Sequence, residues 1–470
     1  MINNTITFKD KHIDSFCLFS KDKNPLHLDV EYASLTPFSE RVLYGIAGVF
    51  FLLSKIDLRY VNISSLNIDF KKPLFINKEY FFNIDQNKKE INLKLFKGIT
   101  VYTKVKINIT DEVDKIPSKF SLVSLDDKTF VSKNIKWNKL PNKKNLSKLL
   151  SSFPGLENCH FWLLQVLAWS SYWAGMIYPG RQALYSQFKL DIKHNKLKFS
   201  HEENKFHEVL KQNKSTFITA EGSKISIVSF LRPEAVSHLK SSIFETSSKT
   251  LLKNLTCFVT GGTRGVGSVF SQIFCSKGAT VFSSYKKNTK SAEQIEKFIT
   301  SKGKPFKAFK INQLPHLDKI ILKKKIDCLI LNAAPSIKQI DPSEISPKDF
   351  EIEKNYFFNL TIGDIEFFKN FLAENATIIN VSTTYIDEKP KGFAHYYFAK
   401  KAIENYLIDF SKKNPKLTLL NFRLPKMHTD QTNVNNLDDL IISPIEIIEK
   451  VTNHYLSFKG KKDFHTFNII

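Results

Sequence analysis

The feature that most constrains the fold is a glycine-rich turn in the C-terminal half of the chain, residues 260–267, with the sequence TGGTRGVG. It follows a short apolar run at residues 256–259 and precedes a stretch of helical patterning that should begin near Ser268. Glycines at such a junction let the backbone turn tightly and approach a pyrophosphate, whose charge then lies at the N-terminus of the helix. The turn alone is a weak signal, because glycine turns are common where strands meet helices.

The sequence around the turn alternates between short apolar runs and helical patterns. Further apolar runs occur at residues 279–282, 328–331 and 377–380. This alternation is typical of a doubly wound parallel sheet with helices on both faces. We therefore expect an α/β domain over residues 246–470.

The first half of the chain has a different order of elements, and that order occurs twice. Residues 1–112 contain a long apolar helix (42–53) followed by β-rich runs, and residues 113–245 contain an apolar helix ending near Met176 followed by strand-like runs from residue 183. A helix followed by an antiparallel sheet, twice over, suggests an internal duplication. The sequence thus predicts a multidomain protein, as expected for 470 residues.

The net charge of +23 favours an anionic partner, which could be nucleic acid, a membrane surface, an acidic carrier protein or a phosphorylated ligand. The lysines are spread through every segment without interleaved aromatic residues, so we interpret them as a solvated surface and expect no nucleic-acid binding. Residues 161–178 carry no charge, but Gln165, Ser170 and Ser171 favour a helix in a protein core over membrane insertion.

The cysteines and the start of the chain indicate the compartment. The five cysteines are scattered and form no CxxC pair, so we expect no metal site and no redox site. The first twelve residues are polar and lack the apolar core of a secretory signal. A cytoplasmic location is the simplest expectation.

A tyrosine and a lysine near residue 400 form a candidate catalytic pair. Tyr397 and Lys401 are four residues apart and share one helix face, where an ammonium group would lower the pKa of the phenol. Tyr396 and Lys400 offer a competing register. Upstream, Ser382 and Thr383 follow an apolar run and carry hydroxyls that could hold a substrate carbonyl oxygen.

From about residue 250 to its end, the chain resembles the short-chain dehydrogenase/reductase family, and within it the 3-oxoacyl-thioester reductases. The resemblance implies a Rossmann domain with Tyr397 as the catalytic acid, Lys401 as the lysine that lowers its pKa and binds ribose, Thr383 at the serine position and Asn355 in the proton relay. It also implies a cofactor site formed by Gly261, Thr263, Arg264, Gly265, Val266, Gly267, Asn332 and Ala333.

The residues after the second strand bear on the choice of cofactor. Where NAD-preferring relatives carry an acidic residue for the ribose hydroxyls, this chain has Ser284, Tyr285 and Lys286. Together with Arg264, this favours a 2′-phosphate and hence NADP(H). The chain departs from the family pattern at Asn312, where an acidic residue contacts adenine in relatives, and at Lys426, where relatives have glycine.

A second candidate site lies near the N-terminus. Asp22 and His27 flank the rigid pair Asn24-Pro25, a spacing suited to holding one water for addition to an activated double bond, or for the reverse elimination. An Asn-Pro turn capped by an aspartate is the alternative interpretation.

Residues 10–110 resemble the MaoC-like (R)-specific enoyl-thioester hydratases, which adopt the hotdog fold; Lys21 and Tyr44 replace the usual glycine and histidine. The resemblance implies catalysis by Asp22 and His27, with the Gly45 N–H facing the thioester oxygen. The second repeat lacks this motif and is expected to complete a double hotdog and shape the acyl pocket. We interpret His160 and Arg181 as structural or phosphate-contacting residues.

Together the two resemblances predict a bifunctional enzyme that reduces a 3-oxoacyl thioester with NADPH and dehydrates the (R)-3-hydroxyacyl product. The expected partner is the acyl thioester of coenzyme A or of acyl carrier protein, and the Rossmann domain could form a homo-oligomer. Two alternatives stay open: an active reductase whose hotdog repeats only bind acyl chains or dimerise, and a basic nucleic-acid-binding protein that retains a dinucleotide fold.

Overall fold

The computed structural model describes residues 4–111, 117, 119–123, 140–245, 250–311, 325–433 and 442–469. Within these residues the contacts separate two compact units. The first unit comprises the described parts of residues 4–33 and 40–234, and the second those of residues 34–39, 235–433 and 442–469.

Between residues 4 and 234 the helices are α1 (Asp10–Ser20), α2 (Pro25–Leu28), α3 (Val30–Ser34), α4 (Gly45–Leu53), α5 (Leu146–Ser152) and α6 (Phe161–Tyr172). The strands are β1 (Thr5–Thr7), β2 (Ile63–Phe70), β3 (Glu79–Gln86), β4 (Glu90–Lys97), β5 (Thr100–Ile109), β6 (Phe120–Leu122), β7 (Ala183–Asp191), β8 (Leu197–His207), β9 (Gln212–Ile218) and β10 (Lys224–Leu231).

These ten strands form one sheet in the order β1-β3-β4-β5-β2-β7-β10-β9-β8-β6. Neighbouring strands run antiparallel, apart from the parallel pair β6 and β8. The two halves of the sheet meet where β2 pairs with β7, with Leu66 opposite Leu190 and Ile68 opposite Phe188. Since β2 is the first strand after α4 and β7 the first after α6, the two helix-and-strand sets join through corresponding strands.

The helices α4 and α6 are buried because their sequences are apolar on every side. α4 starts at Gly45, three residues after the predicted start, because Val42 is engaged in a β-bridge with Phe75. α6 continues at Trp173–Ile177 into a wider helical turn, and its side chains belong to the core, as the sequence indicated. In the described parts of the chain no helix is long and apolar enough to cross a membrane.

The helices of the second unit are α7 (Ser242–Glu245), α8 (Gly265–Ser276), α9 (Thr289–Ser301), α10 (Pro347–Phe368), α11 (Tyr385–Glu388), α12 (Ala394–Lys413) and α13 (Pro444–Phe458). Its strands are β11 (Thr256–Val259), β12 (Thr280–Tyr285), β13 (Phe306–Lys310), β14 (Ile326–Leu331), β15 (Leu372–Thr383), β16 (Thr418–Leu424) and β17 (Asp463–Asn468).

These seven strands form a parallel sheet in the order β13-β12-β11-β14-β15-β16-β17, which confirms the predicted α/β domain. Every residue of β11 is buried, as expected for a central strand covered on both faces. The strand order reverses between β11 and β14, and ligands of such sheets bind outside the carboxyl ends of the strands at this reversal. The glycine turn follows β11 and lies at that position.

One glycine of the first unit gives a test of this packing. Gly155 has a φ of 99°, and a Cβ there would clash with the carbonyl oxygen of Ser54. We expect Gly155→Ala to reduce the free energy of unfolding by about 1–3 kcal/mol more than Gly222→Ala, because Gly222 has a similar φ of 82° but no atom within 4 Å of its Cβ.

Urea unfolding followed by tryptophan fluorescence measures this difference, because Trp162, Trp169 and Trp173 are buried in the core of the first unit and report on its unfolding. Equal losses in the two variants would contradict the close approach of Gly155 to Ser54.

Candidate functional site

In the first unit, Asp22 is a buried carboxylate, 1% exposed. Its Oδ1 accepts the Asn24 N–H at 3.0 Å and its Oδ2 accepts the Ser171 hydroxyl at 2.8 Å. Burial raises the pKa of Asp22 to about 7 despite these two hydrogen bonds. The carboxyl can therefore hold or release a proton near neutral pH.

Residues far along the chain supply part of this environment. Ser171 lies on α6, and a Cβ at Gly175 would stand 2.7 Å from Asp22 Oδ1. Asn24 is fixed from the same side, because its Nδ2 donates to the carbonyls of Gly175 and Arg181. The side chain of Arg181 is exposed. No short sequence motif could reveal Ser171, which is 149 residues away from Asp22.

Tyr44 contacts both His27 and Asp22. The rings of His27 and Tyr44 have centroids 3.8 Å apart, and the Tyr44 hydroxyl donates to the Asp22 carbonyl at 2.6 Å. His27 Nδ1 is 2.7 Å from the Val42 carbonyl, so Nδ1 carries the proton and Nε2 is the acceptor. Burial lowers the pKa of His27 to about 4, which keeps the imidazole neutral.

Gly45 is the first residue of α4, so its N–H has no intrahelical partner. A Cβ at this position would stand 2.8 Å from the Phe70 ring, which explains the glycine. His160 N-caps α6, and its Nε2 is 3.4 Å from the Val61 carbonyl, consistent with a structural role.

In the second unit, the glycine turn packs closely against the end of β14. Gly261 has a φ of 63°, and its Cβ would stand 3.1 Å from Ala333 Cα. A Cβ at Gly267 would clash with the Gly261 carbonyl. Asn332 Nδ2 donates to the carbonyls of Thr260 and Gly261 at 3.1 and 3.2 Å, so its side chain holds the turn in shape.

Thr260 connects the turn to α10. Its hydroxyl oxygen accepts the N–H groups of Asn332 and Ala333 at 3.0 and 2.9 Å. It also shares a hydrogen bond with Asp364, whose pKa burial raises to about 7. Asp364 was not predicted from the sequence, and no motif marks it.

The other side of the turn is open. Gly265 has a φ of 53°, has no atom within 4 Å of its Cβ position, and begins α8. The first N–H groups of that helix are thus available to an anion, and the turn fits the pyrophosphate of a dinucleotide. Thr263 is buried within the turn, and Val266 is partly buried in the first turn of α8.

The predicted phosphate-binding side chains have other contacts. The Arg264 guanidinium donates to the carbonyl of Ser34, which belongs to the same unit. Lys286 Nζ donates to the Tyr356 hydroxyl at 3.1 Å in an exposed position. Ser284 Oγ accepts the Gly261 N–H at 3.2 Å, so the end of β12 also contacts the turn. Asn312 lies outside the described residues.

The face of α12 that packs against β15 carries Tyr396 and Lys400. These side chains are 7% and 4% exposed, whereas the Lys401 side chain is 49% exposed and lies 3.6 Å from Glu404. Tyr397 is partly exposed and contacts the ring of Phe398. The structure therefore places the competing register, and not the predicted pair, against the strand.

Tyr396 shares a hydrogen bond with Thr383 at the end of β15, and burial raises its pKa. Lys400 Nζ donates to the Val381 carbonyl at 2.7 Å and lies 6.0 Å from the centre of the Tyr396 ring. Burial lowers the pKa of Lys400 to about 8, so the group is still mostly charged at neutral pH. A hydroxyl, a phenol and an ammonium group thus meet at the carboxyl end of one strand.

Two further predicted residues lie apart from this cluster. The Ser382 hydroxyl donates to Glu404 Oε1 at 2.8 Å and is engaged there. Asn355 is exposed on α10. Thr383 is thus the hydroxyl that contacts Tyr396.

Comparison with known proteins bears on this second unit. A family model described as short chain dehydrogenase matches residues 255–413, a range that contains the glycine turn, Thr383, Tyr396 and Lys400. The C-terminal region is a short-chain dehydrogenase/reductase domain.

Three solved structures are similar to the chain. They are a short-chain dehydrogenase/reductase from Serratia marcescens (18% identity, TM-score 0.40, covering 46% of this chain and 97% of that chain), a short chain dehydrogenase from Burkholderia cenocepacia in complex with NADP (17%, 0.41, 46% and 97%), and the angucycline C-6 ketoreductase LanV with bound NADP (17%, 0.41, 46% and 95%). Comparison with curated proteins gave no match.

The sequence of the dehydrogenase domain did contain a signal for the register of α12. Its apolar residues Ala399, Ile403 and Leu407 recur at helical spacing and are buried. Tyr396 and Lys400 share this face because they are three residues before Ala399 and Ile403, respectively. Tyr397 and Lys401 are each one residue, about 100°, further around the helix.

The burial of Asp22 predicts a pH-dependent cost to folding. A carboxyl whose folded pKa of about 7 exceeds its ordinary value of 3.8 destabilises the fold increasingly as pH rises through that interval. The quantity to compare is the unfolding free energy of Asp22→Asn minus that of the unsubstituted protein. This difference should be about 2–4 kcal/mol larger at pH 8 than at pH 4. Urea unfolding followed by tryptophan fluorescence at the two pH values measures this shift.

Asp57→Asn is the matched control in the first unit, because Arg59 lowers the pKa of this exposed carboxyl to about 2. The unfolding free energy of Asp57→Asn should not increase relative to that of the unsubstituted protein as pH rises. The same shift in both variants would refute the link to Asp22.

Proposed function

We propose that the dehydrogenase domain reduces a carbonyl group with NADPH, and that the carbonyl is the 3-oxo group of an acyl thioester. The observation that carries the proposal is the cluster of Thr383, Tyr396 and Lys400 at the carboxyl end of β15. Two similar structures contain bound NADP, and this chain has Ser284 and Lys286 where NAD-preferring enzymes carry an acidic residue.

The glycine turn and the N-terminus of α8 would hold the pyrophosphate of the dinucleotide, and the bound cofactor supplies a hydride. Tyr396 donates the proton that the carbonyl oxygen gains on reduction. The neighbouring Lys400 ammonium stabilises the resulting phenolate, and the Thr383 hydroxyl holds the carbonyl oxygen in line with the phenol.

This proposal changes the assignment of the catalytic pair made from the sequence. Tyr396 contacts Thr383 and Lys400 contacts the neighbouring Val381 carbonyl, so we assign the proposed catalytic roles to Tyr396 and Lys400. Thr383 keeps the role proposed from the sequence.

Parallel tyrosine variants test the assignment. Tyr396→Phe should lower kcat/KM for NADPH-dependent reduction of a 3-oxoacyl thioester by about 10²–10⁴-fold, because the proton donor is lost. Tyr397→Phe should stay within about threefold of the unsubstituted enzyme. Loss of NADPH absorbance gives the rates, and NADPH titration confirms that each variant still binds the cofactor. Loss of activity in Tyr397→Phe alone would support the register assigned from the sequence.

A second activity is favoured by the surroundings of Asp22 and His27. We infer that the first unit is a double hotdog in which these residues dehydrate a 3-hydroxyacyl thioester. The architecture is supported by two sets of elements, each a helix followed by antiparallel strands. The two sets join where β2 pairs with β7. Burial favours the protonated carboxyl of Asp22 and the neutral imidazole of His27, as the reaction requires.

In this reaction His27 Nε2 takes the proton from C2, and the electrons of that C–H bond form the C2–C3 double bond. The C3–O bond breaks, and the Asp22 carboxyl protonates the departing hydroxyl to give water. The Gly45 N–H stabilises the negative charge that develops on the thioester oxygen. Ser171 holds the Asp22 carboxyl from the second repeat.

The two proposed reactions are consecutive, because reduction of the 3-oxo group gives the hydroxyl that the second reaction eliminates. Either coenzyme A or an acyl carrier protein could carry the thioester, and both are anionic partners for a basic protein. A homo-oligomer through the dehydrogenase domain is also proposed. It is supported by apolar side chains that are about half exposed on the packed helices α10 and α12, namely Ile352, Tyr356 and Phe398.

The second activity is tested with a 3-hydroxyacyl thioester in the absence of nicotinamide cofactor. Asp22→Asn should lower the rate of enoyl-thioester formation by about 10²–10⁴-fold, because its side chain can no longer transfer the proton. Mass spectrometry of the products measures the rate. Tyr396→Phe is the matched control and should dehydrate normally, whereas undiminished enoyl formation by Asp22→Asn would refute the role of Asp22.

A further inference from the structure

Glu404 is a buried carboxylate with an unusual number of hydrogen-bond donors. Its side chain is 3% exposed. Oε1 accepts hydrogen bonds from Ser382 Oγ at 2.8 Å, Arg423 Nε at 2.9 Å and Asn421 Nδ2 at 3.0 Å. Oε2 accepts from Arg423 Nη2 at 2.6 Å. The charge is thus compensated by a bidentate arginine, two neutral donors and the Lys401 ammonium, which lies 3.6 Å from Oε2.

The position of Glu404 connects this network to the proposed reductase site. Tyr396, Lys400 and Glu404 are spaced by four residues and lie on one face of α12. Each of them contacts the end of β15: Tyr396 contacts Thr383, Lys400 contacts the Val381 carbonyl and Glu404 contacts Ser382. Ser382 is the residue before Thr383, so its hydrogen bond to Glu404 also fixes the backbone of Thr383.

Arg423 also restrains the chain that follows Thr383. Besides Glu404, it binds both carboxylate oxygens of Asp387, at 3.1 and 2.9 Å. Asp387 lies on α11, the short helix that follows Thr383. One arginine on β16 therefore restrains the chain on both sides of Thr383.

We propose that Glu404 is a positioning residue of the reductase site, whose carboxylate holds Ser382 and Arg423 so that Thr383 stays aligned with Tyr396. The inference rests on the proposed carbonyl reduction. Glu404 has a second effect on the site, because its negative charge lies one helical turn from Lys400 and favours the charged ammonium. The Val381 carbonyl and the Tyr396 ring lie against that ammonium.

Glu404→Gln in the full chain tests the proposal, because it keeps the shape of the side chain and removes its charge. We expect kcat for reduction of a 3-oxoacyl thioester to fall by about 10–100-fold, while KM for NADPH changes less than about threefold. The alkaline limb of the kcat profile should move to lower pH, because Lys400 loses the charge that favours its protonation. A purely structural role would not move this limb.

Asp409→Asn is the matched control, since Asp409 lies on the same helix in an exposed pair with Lys412, and it should leave kcat and the pH profile unchanged. Ser382→Ala is a second test that keeps the Glu404–Arg423 pair. It should lower kcat by about 3–10-fold without moving the alkaline limb.

A folded Glu404→Gln variant with unchanged kcat and an unchanged alkaline limb would overturn the proposal. If Glu404→Gln does not fold, Ser382→Ala serves as the test. Unchanged kcat in that variant would also overturn the proposed role of Glu404. Tyr396→Phe is measured alongside. Full activity in Tyr396→Phe would refute the proposed reduction itself, which separates that failure from a failure of the role of Glu404.

Discussion

The second unit depends on the contact between helix α12 and the carboxyl end of strand β15. This contact places an ammonium group and a carboxylate in the interior, one turn apart on the same helix. Isolated buried charges are expensive, and such groups persist only when hydrogen bonds and opposite charges compensate them. The Val381 carbonyl compensates Lys400. Arg423, Lys401 and two neutral donors compensate Glu404. The same contacts fix the distance between helix and strand on which the proposed proton transfer from Tyr396 relies.

Burial has a parallel consequence in the first unit. It raises the pKa of Asp22 to about 7 and lowers that of His27 to about 4, so near pH 7 the carboxyl is still partly protonated and the imidazole is neutral. A neutral carboxyl and a neutral imidazole are the acid and the base that an elimination needs, and a separation of pKa values by environment is a common way to assign the two roles. The hydrogen bond from Ser171 opposes this shift in part, since it favours the carboxylate. Its main contribution is therefore to orient Asp22.

The sequence predicted those features that follow from local patterns. Apolar runs located four of the parallel strands, β11, β12, β14 and β15, but not β13, β16 and β17. The glycine turn marked the start of α8 to within three residues. The four-residue spacing alone left two registers of α12 open, because both the tyrosines and the lysines are consecutive, and the family resemblance assigned the pair to Tyr397 and Lys401. Helix-face periodicity over Ala399 and Ile403 separates the two registers. The contact between Asp22 and Ser171 had no local signal, since it depends on how α6 packs against the Asp22 turn.

The ionisation states set a shared limit on the two proposed reactions. Asp22 must be protonated to release water, and Lys400 must be charged to stabilise a phenolate, so both requirements fail as pH rises through about 7 and 8. His27 remains neutral down to about pH 4 and sets the acidic limit of the elimination. The elimination thus has the narrower pH range, between the pKa of His27 and the pKa of Asp22. Reduction continues above pH 7, where the protonated fraction of Asp22 declines, so the 3-hydroxyacyl intermediate should accumulate there.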